Sequence, residues 1–435
     1  MGQQSKENSP YKFRRVEKTR KSMEDVLRET SKHMGARLTE ASLSNEQRVA
    51  FDAICHWYEH DTAAQQVLTL GGYAGTGKST LVSVLAGKYS DESIAFCSYT
   101  GKATSVLRAK LSAANVPGRQ EVKTLHSLMY RPIPNTETGG VLGWKLRDDL
   151  THDLIIVDEA SMLDEDMFKD LKSHGIPILA VGDHGQLPPV MGSFNLMEKP
   201  QLRLEKIHRQ AEDSPILALA DFVRRIGQVP RLDNSLELQV FPQKHADQVL
   251  ESLFTTPGLN YADVGLLCYS NRERVELNER ARKARWRQDF KHAPIVGDQV
   301  INLRNVEGTI FNGMRGELTR CNDATVLHYD STVFFEEDEV EVQGPLCKVQ
   351  FGLHKTIRDF DEFYKHAEYR VRSWDAMGLL FDFGHALTIH KSQGSQMEHV
   401  IVAQYDLPRM MDFDTKKRAL YTAITRCSKY LVILT

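Results

Sequence analysis

The chain alternates short, wholly apolar runs with stretches that are apolar on one face only. VLTLGG (67–72) is an apolar run that closes on two glycines, and STLVSVLAGKYS (79–90) after it has helical spacing. IAFCSYT (94–100) repeats the strand texture, and GKATSVLRAKLS begins another helix. DLIIVDEAS (153–161) sets four consecutive apolar residues, Leu154 to Val157, ahead of two carboxylates, and PILAVGDHGQ (177–186) repeats the pattern. Such runs suit a sheet covered on both faces, and their alternation with helices predicts a parallel α/β core. Upstream, NEQRVAFDAICHWYEH (45–60) predicts a helix with Val49, Ala50, Ala53, Ile54 and Trp57 on its apolar face and Phe51 off its centre. Ser44 is placed to cap that helix, with Gln47 at the third helical position closing a capping box.

The αβ texture continues from about 205 to 294, where VGLLCYS (264–270) reads as a strand and NRERVELNERARKARW as a helix. It changes near Gly297. GDQVINLRN, GTIFNGMRGELTRC, ATVLHYD and STVFFEEDEVEVQG read as short strands separated by glycine and Asn turns. Buried-strand texture returns at ALTIHKS (386–392) and YLVILT (430–435). One α/β region is thus expected to be interrupted by a β-rich module over 296–384. Residues 1–37 are polar and basic, and are expected to form a tail with one helix in MEDVLRETSKHM.

Composition narrows the partners. The 435 residues carry 55 basic and 58 acidic side chains, a net charge of -3, so affinity for nucleic acid must be local. The six cysteines lack CxxC spacing, which argues against zinc, iron–sulfur or disulfide frameworks and fits a reducing, cytoplasmic setting. No apolar run is long enough to span a membrane, and the amino terminus does not read as a signal sequence.

The chemistry begins at GGYAGTGKST (71–80). Gly72 to Ser79 match the P-loop pattern GxxxxGK[ST], with a strand before and a helix after. The loop Gly72, Ala74, Gly75, Thr76 and Gly77 can wrap phosphates with backbone N–H groups, helped by the helix start at Lys78, Ser79 and Thr80. Lys78 is expected to reach the β- and γ-phosphates and Ser79 to ligate Mg²⁺. Asp158 fits a second Mg²⁺ ligand, and Glu159 fits the polarisation of an attacking water. These groups predict hydrolysis of a nucleoside triphosphate without saying what it drives.

The remaining motifs resemble those of superfamily 1B DNA helicases, in the branch containing RecD and the phage helicase Dda. The resemblance covers about 38–435. LSNEQRVAF (43–51), GGYAGTGKST, SYTGKATSVL (98–107), TLHSLM (124–129), DEAS (158–161), GDHGQLPPV (182–190), LEKIHRQ (204–210), ALTIHKSQGSQMEHVIV (386–402) and ALYTAITRCSKYLVIL (419–434) follow in the family's order. The resemblance implies that Gln47 reads the adenine edge, that Gln186 senses the γ-phosphate, and that Arg209 and Arg426 are arginine fingers. It implies that Gly394 and Glu398 lie on the nucleotide side. Thr100, Lys102, His126, Ser127, Thr388, His390, Lys391 and Ser392 are implied in contacts with single-stranded DNA, and Gln393 in coupling. His126 reads equally well as a core or capping histidine.

The implied fold is two RecA-like P-loop domains, 38–204 and 205–295 with 385–435. The first carries a hairpin insertion at about 129–150 and the second an SH3-like insertion. The hairpin would act as the pin that parts a duplex, with Trp144 as a candidate stacking residue or a packing residue of its base. The implied activity is ATP- and Mg²⁺-dependent translocation 5′ to 3′ on single-stranded DNA and unwinding of forked duplexes, alongside single-strand-binding or replication proteins. The compact layout is nearest to Dda, which a phage origin would fit. An RNA or nucleoprotein remodeller, a nucleotide-gated recruiter and a small-molecule kinase remain as alternatives.

Overall fold

The computed structural model describes residues 11–15, 39–114, 120–134, 141–188, 194–207, 214–306, 310–336, 339–357 and 377–435. The chain divides into two compact units, one of Glu17–Pro132 with Trp144–Ala218, the other of Met1–Val16 with Ile133–Gly143 and Leu219–Thr435. The expected helix in MEDVLRETSKHM falls outside the described residues.

The first unit is built on a six-stranded sheet in the order Gln120–Thr124, Ile94–Ser98, Leu154–Asp158, Ile178–Gly182, Val67–Gly72, Leu202–Leu204. All of its pairings are parallel. The apolar run at Leu154 explains why helices cover both faces. Leu154 and Ile156 join one core cluster with Phe96, Leu70 and Leu85, whereas Ile155 and Val157 join another with Ala95, Ala180 and Leu171. A period of two sends alternate residues to opposite faces, so a strand buried on both sides must be continuously apolar.

The helix Asn45–His56 starts as expected. Ser44 Oγ accepts from Gln47 N and Gln47 Oε1 accepts from Ser44 N. Ala50, Ile54 and Trp57 of the expected face are buried, and the face departs from expectation at Val49 and Phe51. Ala50, Phe51, Ile54 and Cys55 are buried with Gln47, and Val49 is 70% exposed. Phe51 is a centre of the packing, and Val49 faces solvent.

The second unit holds a five-stranded parallel sheet in the order Leu238–Phe241, Cys427–Leu434, Met397–Ala403, Val264–Cys268, Ala386–Thr388. It also holds a six-stranded antiparallel sheet in the order Lys12–Arg15, Val340–Cys347, His328–Phe335, Arg315–Asp323, Gln299–Asn302, Phe381–Phe383. The change of texture at Gly297 marks this second architecture. Lys12–Arg15 corrects the reading of a tail at those positions. Its strand pairs Phe13 with Val342, and Tyr11 and Phe13 pack on the core of the antiparallel sheet. Tyr130–Pro134 and Val141–Leu146 form a separate two-stranded sheet.

The helix Asn271–Trp286 is tied to the antiparallel sheet by a buried ion pair. Arg282 Nε donates to both oxygens of Asp298, at 3.0 and 3.1 Å, and its other nitrogens donate to Lys291 O and Ala293 O. Ile295 N donates to Asp298 Oδ2 at 2.9 Å. His385 and Arg282 hold the Asp298 carboxyl below its ordinary pKa, against the opposing effect of its burial.

Candidate nucleotide site and nucleic-acid interface

Parallel register brings the first unit's motifs to one edge. Gly71 pairs with Gly182, Val157 with Ala180, and Ser98 with Asp158. The P-loop, DEAS, GDHGQ and SYTGK segments therefore leave the same carboxyl edge of the sheet, where open α/β sheets bind ligands.

The P-loop turns through Gly75 and Gly77 at φ 80° and 77°, a region that favours glycine. Thr76 is buried and donates to Tyr73 O at 2.8 Å, and a Cβ at Gly72 would lie 2.7 Å from Thr76 Oγ1. Lys78 Nζ donates to Gly72 O at 2.6 Å and Tyr73 O at 3.1 Å, so its ammonium lies over the loop. The helix Lys78–Lys88 has no acidic residue in its first turn, which preserves the positive potential of its amino end. Ala74, Ser79 and Thr80 are half-buried on the rim.

Gln47 lies beneath this loop. Its Nε2 donates to Thr76 O at 3.1 Å and Gly77 O at 3.2 Å, and its Oε1 accepts from Ser44 N at 2.9 Å. Both N–H donors of the amide are therefore engaged, and in this geometry none remains for N7 of adenine.

Asp158 ends its strand. Burial and the neighbouring Glu159 raise its pKa, and Lys110 and Lys78 oppose that shift. Ser98 Oγ and Ser161 Oγ are buried nearby in sequence and register, and have no hydrogen-bond partner among the described residues. Oxygen donors with spare capacity fit Mg²⁺, which takes few protein ligands and keeps several waters. Ser79 and Asp158 would hold it. Glu159 adopts φ 55°, ψ 39°, a left-handed conformation uncommon for a residue with a side chain.

The GDHGQ loop packs on the P-loop through His184, whose ring centroid lies 4.1 Å from that of Tyr73. Asp183 shapes the loop by accepting from Gly185 N at 2.9 Å, and Gln186 is buried. Thr100 Oγ1 caps the helix Gly101–Ala113 by accepting from Ala103 N. The side chain of Lys102 and the residue Arg209 lie outside the described set.

His126 and Trp144 come together edge to face, 4.5 Å between centroids, and Tyr130 lies 4.8 Å from His126. Trp144 is 42% exposed, and burial lowers the pKa of His126, favouring the neutral ring. Ser127 is engaged locally, its hydroxyl donating to Thr124 O at 2.9 Å.

In the second unit, the strand Ala386–Thr388 leads into the HKSQG turn. Thr388 Oγ1 accepts from Lys391 N, and Ser392 is fully buried with its hydroxyl donating to Ile389 O. Gln393 is buried, and His390 lies 5.8 Å from Tyr269 between ring centroids. Lys391 Nζ donates to Asn312 Oδ1 on a turn of the antiparallel sheet. Burial and Arg274 lower its pKa to about 8. Arg426 is buried and donates to Ser395 O at 3.3 Å and Thr422 O at 3.2 Å, beside Gly394 at φ 72°. Glu398 forms an ion pair with Lys429 at 2.6 Å.

Sequence patterning did not single out Tyr73 or Lys110. Lys110 Nζ donates to Ser79 Oγ at 3.2 Å. Tyr73 occupies a variable position of the P-loop pattern, and Lys110 belongs to no motif, so neither carries a spacing signal.

Residues 42–234 match the model of an AAA domain and residues 383–434 that of a UvrD-like helicase C-terminal domain. The chain is 26% identical over 415 residues to the ATP-dependent RecD2 DNA helicase of Deinococcus radiodurans, covering 88% of this chain and 48% of that protein. It is 24% identical over 421 residues to the RecBCD enzyme subunit RecD of Mycobacterium tuberculosis, covering 84% and 66%. The chain thus spans about half the length of the first relative and about two thirds of the second. A structure of two coordinating Pif1 helicases at forked double-stranded DNA aligns with a TM-score of 0.50 at 17% identity, covering 90% of this chain and 92% of that one. The fold is similar to that of the Pif1 helicases, and the order of the two matched models, an AAA domain before a UvrD-like helicase C-terminal domain, runs along one chain as the resemblance implied.

Proposed function

We propose that the chain is an ATP-driven DNA helicase that moves 5′ to 3′ on single-stranded DNA and opens forked duplexes. The observation that carries this reading is the common sheet edge, where a P-loop ending in Lys78 and Ser79 meets Asp158, Glu159 and Gln186 in a fold of the RecD/Pif1 type. Lys78 binds the β- and γ-phosphates, and Ser79 and Asp158 hold Mg²⁺. Mg²⁺, when bound, neutralises charge on the phosphate oxygens. Glu159 orients the attacking water and Gln186 senses the γ-phosphate. Arg209 and Arg426 are the proposed arginine fingers, the second backed by the Gly394–Ser395 turn. Gly394 and Glu398 belong to the nucleotide side in this reading.

Thr100, Lys102, His126, Ser127, Thr388, His390, Lys391 and Ser392 are proposed to track the strand. Because the hydroxyl of Ser392 is buried, any contact there is through its backbone. Trp144 at the exposed foot of the hairpin supports a pin that meets bases by stacking. Polarity, an SH3-like character for the antiparallel sheet, a role in replication, recombination or repair, and nearness to Dda rest on motif resemblance. The six unpaired cysteines support a reducing, cytoplasmic setting.

The test is unwinding of forked DNA bearing only a 5′ or only a 3′ single-stranded tail, with ATPase stimulation by matched DNA and RNA oligonucleotides alongside. Activity confined to the 3′ tail refutes the direction. Stimulation by RNA alone replaces the substrate with RNA, and hydrolysis without unwinding replaces the helicase with a translocase or remodeller.

A further inference from the structure

Lys110 lies on the helix Gly101–Ala113, beyond the SYTGKATSVL motif and outside the residues given roles above. Its ammonium nevertheless donates to Ser79 Oγ at 3.2 Å. It also bears on the Asp158 carboxylate, opposing the upward shift of that group. Ser79 and Asp158 are the two side chains that would hold Mg²⁺, so one protein-borne cation bonds the first of these oxygen donors and acts on the second only through its charge.

A hydroxyl has two lone pairs and can in principle accept a lysine N–H while ligating a metal. A divalent ion on the same oxygen would, however, sit within a few ångströms of the ammonium, and like charges at that range repel. The lysine has an escape. Its side chain is exposed and its four-carbon stem is flexible, so the head can swing into solvent without breaking the fold. Lys78 has a different place, donating to the Gly72 and Tyr73 carbonyls.

We propose that Lys110 is a tethered competitor of Mg²⁺, whose ammonium occupies Ser79 Oγ in place of the metal and is displaced when Mg²⁺ enters with the nucleotide. Lys110 thereby sets the Mg²⁺ concentration at which the site accepts nucleotide. The inference rests on the proposed MgATP site. It adds a residue that raises the metal requirement rather than one that serves the reaction.

The experiment is equilibrium binding of a fluorescent ADP analogue to the full chain, titrated with Mg²⁺, for the wild type, Lys110→Met and Lys110→Arg. Lys110→Met should lower the half-saturating Mg²⁺ by roughly two- to fivefold, the scale of an exposed charge contact. Lys110→Arg should stay near the wild type. Melting in Mg²⁺ without nucleotide provides a second readout, and Mg²⁺ should raise the melting temperature of Lys110→Met more than that of the wild type. An unchanged half-saturation in Lys110→Met overturns the proposal. So does a tenfold loss of nucleotide affinity at saturating Mg²⁺, which would make Lys110 a phosphate ligand. Binding of nucleotide by neither wild type nor variants refutes the MgATP site itself, and with it this inference.

Discussion

Replacing Gln47 separates two roles that one amide could play in nucleotide binding. In the structure the amide serves the P-loop, through two bonds from Nε2 to the carbonyls of Thr76 and Gly77 and one bond to Oε1 from Ser44 N. Gln47→Ala removes all three in a site where Gln47 is 2% exposed. At about 1 kcal/mol net for each lost bond, the local cost is roughly 3 kcal/mol. About two thirds of that, roughly 2 kcal/mol, falls on the loop carbonyls, so nucleotide affinity should drop by up to about 30-fold. Because the damaged element grips phosphates and not the base, ADP and GDP should lose affinity by the same factor. Gln47→Glu sharpens the test. It keeps an acceptor for Ser44 N, and so keeps the helix cap, but sets a carboxylate oxygen against two carbonyl oxygens. Fluorescence competition titrations of ADP and GDP against both variants measure the effect. A loss confined to ADP would refute the reasoning and assign Gln47 to the adenine edge.

Four further outcomes are expected. Asp298→Ala leaves Arg282, 3% exposed, without its counter-charge and should cost about 3–5 kcal/mol, read as a lower urea midpoint of the second unit's transition. The Asp298 carboxyl is held below its ordinary pKa, so its stabilisation is complete above the unfolded carboxylate value and is lost as pH falls through the depressed folded value; Asp298→Asn should remove that part of the acid limb in pH-dependent unfolding. If Lys391 contacts DNA as a cation, single-strand affinity should fall as pH rises through about 8, and Lys391→Arg should flatten that fall in anisotropy titrations between neutral and alkaline pH. Trp144→Ala should slow forked-duplex unwinding while leaving DNA-stimulated ATP hydrolysis near the wild type, since a stacking contact of about 1–3 kcal/mol with a base acts at the hairpin and not at the phosphates; equal loss of both activities would make Trp144 a packing residue.

The gathering of the first unit's motifs was legible because parallel strands turn sequence order into a shared edge. Once VLTLGG, LIIVD and ILAVG are strands of one parallel sheet, the residues that follow each must lie near one another, as the pairings of Gly71 with Gly182 and Ser98 with Asp158 have it. Contacts between residues of no motif have no such rule. The approach of Tyr73 to His184 and the bond from Lys110 to Ser79 depend on side-chain reach across loops and a helix. The pairing of Lys12–Arg15 with Val340–Cys347 was hidden for another reason, since it joins segments more than three hundred residues apart and its short strand is flanked by polar sequence.

The helix at Asn45 carries a phase signal beyond its apolar pattern. Apolar residues occupy both Val49 and the pair Ala50–Phe51, so hydrophobicity alone leaves its phase ambiguous. The capping box resolves it. It fixes the first helical residue and turns Gln47 inward, toward Ser44 and the P-loop carbonyls. Steps of three, four, seven and eight residues from an inward Gln47 arrive at Ala50, Phe51, Ile54 and Cys55, which are the buried positions, and pass over Val49. A polar residue thus sets which apolar residues are core. The same amide that sets the phase supports the phosphate loop, so the packing of this helix and the geometry of the nucleotide site are linked through one side chain.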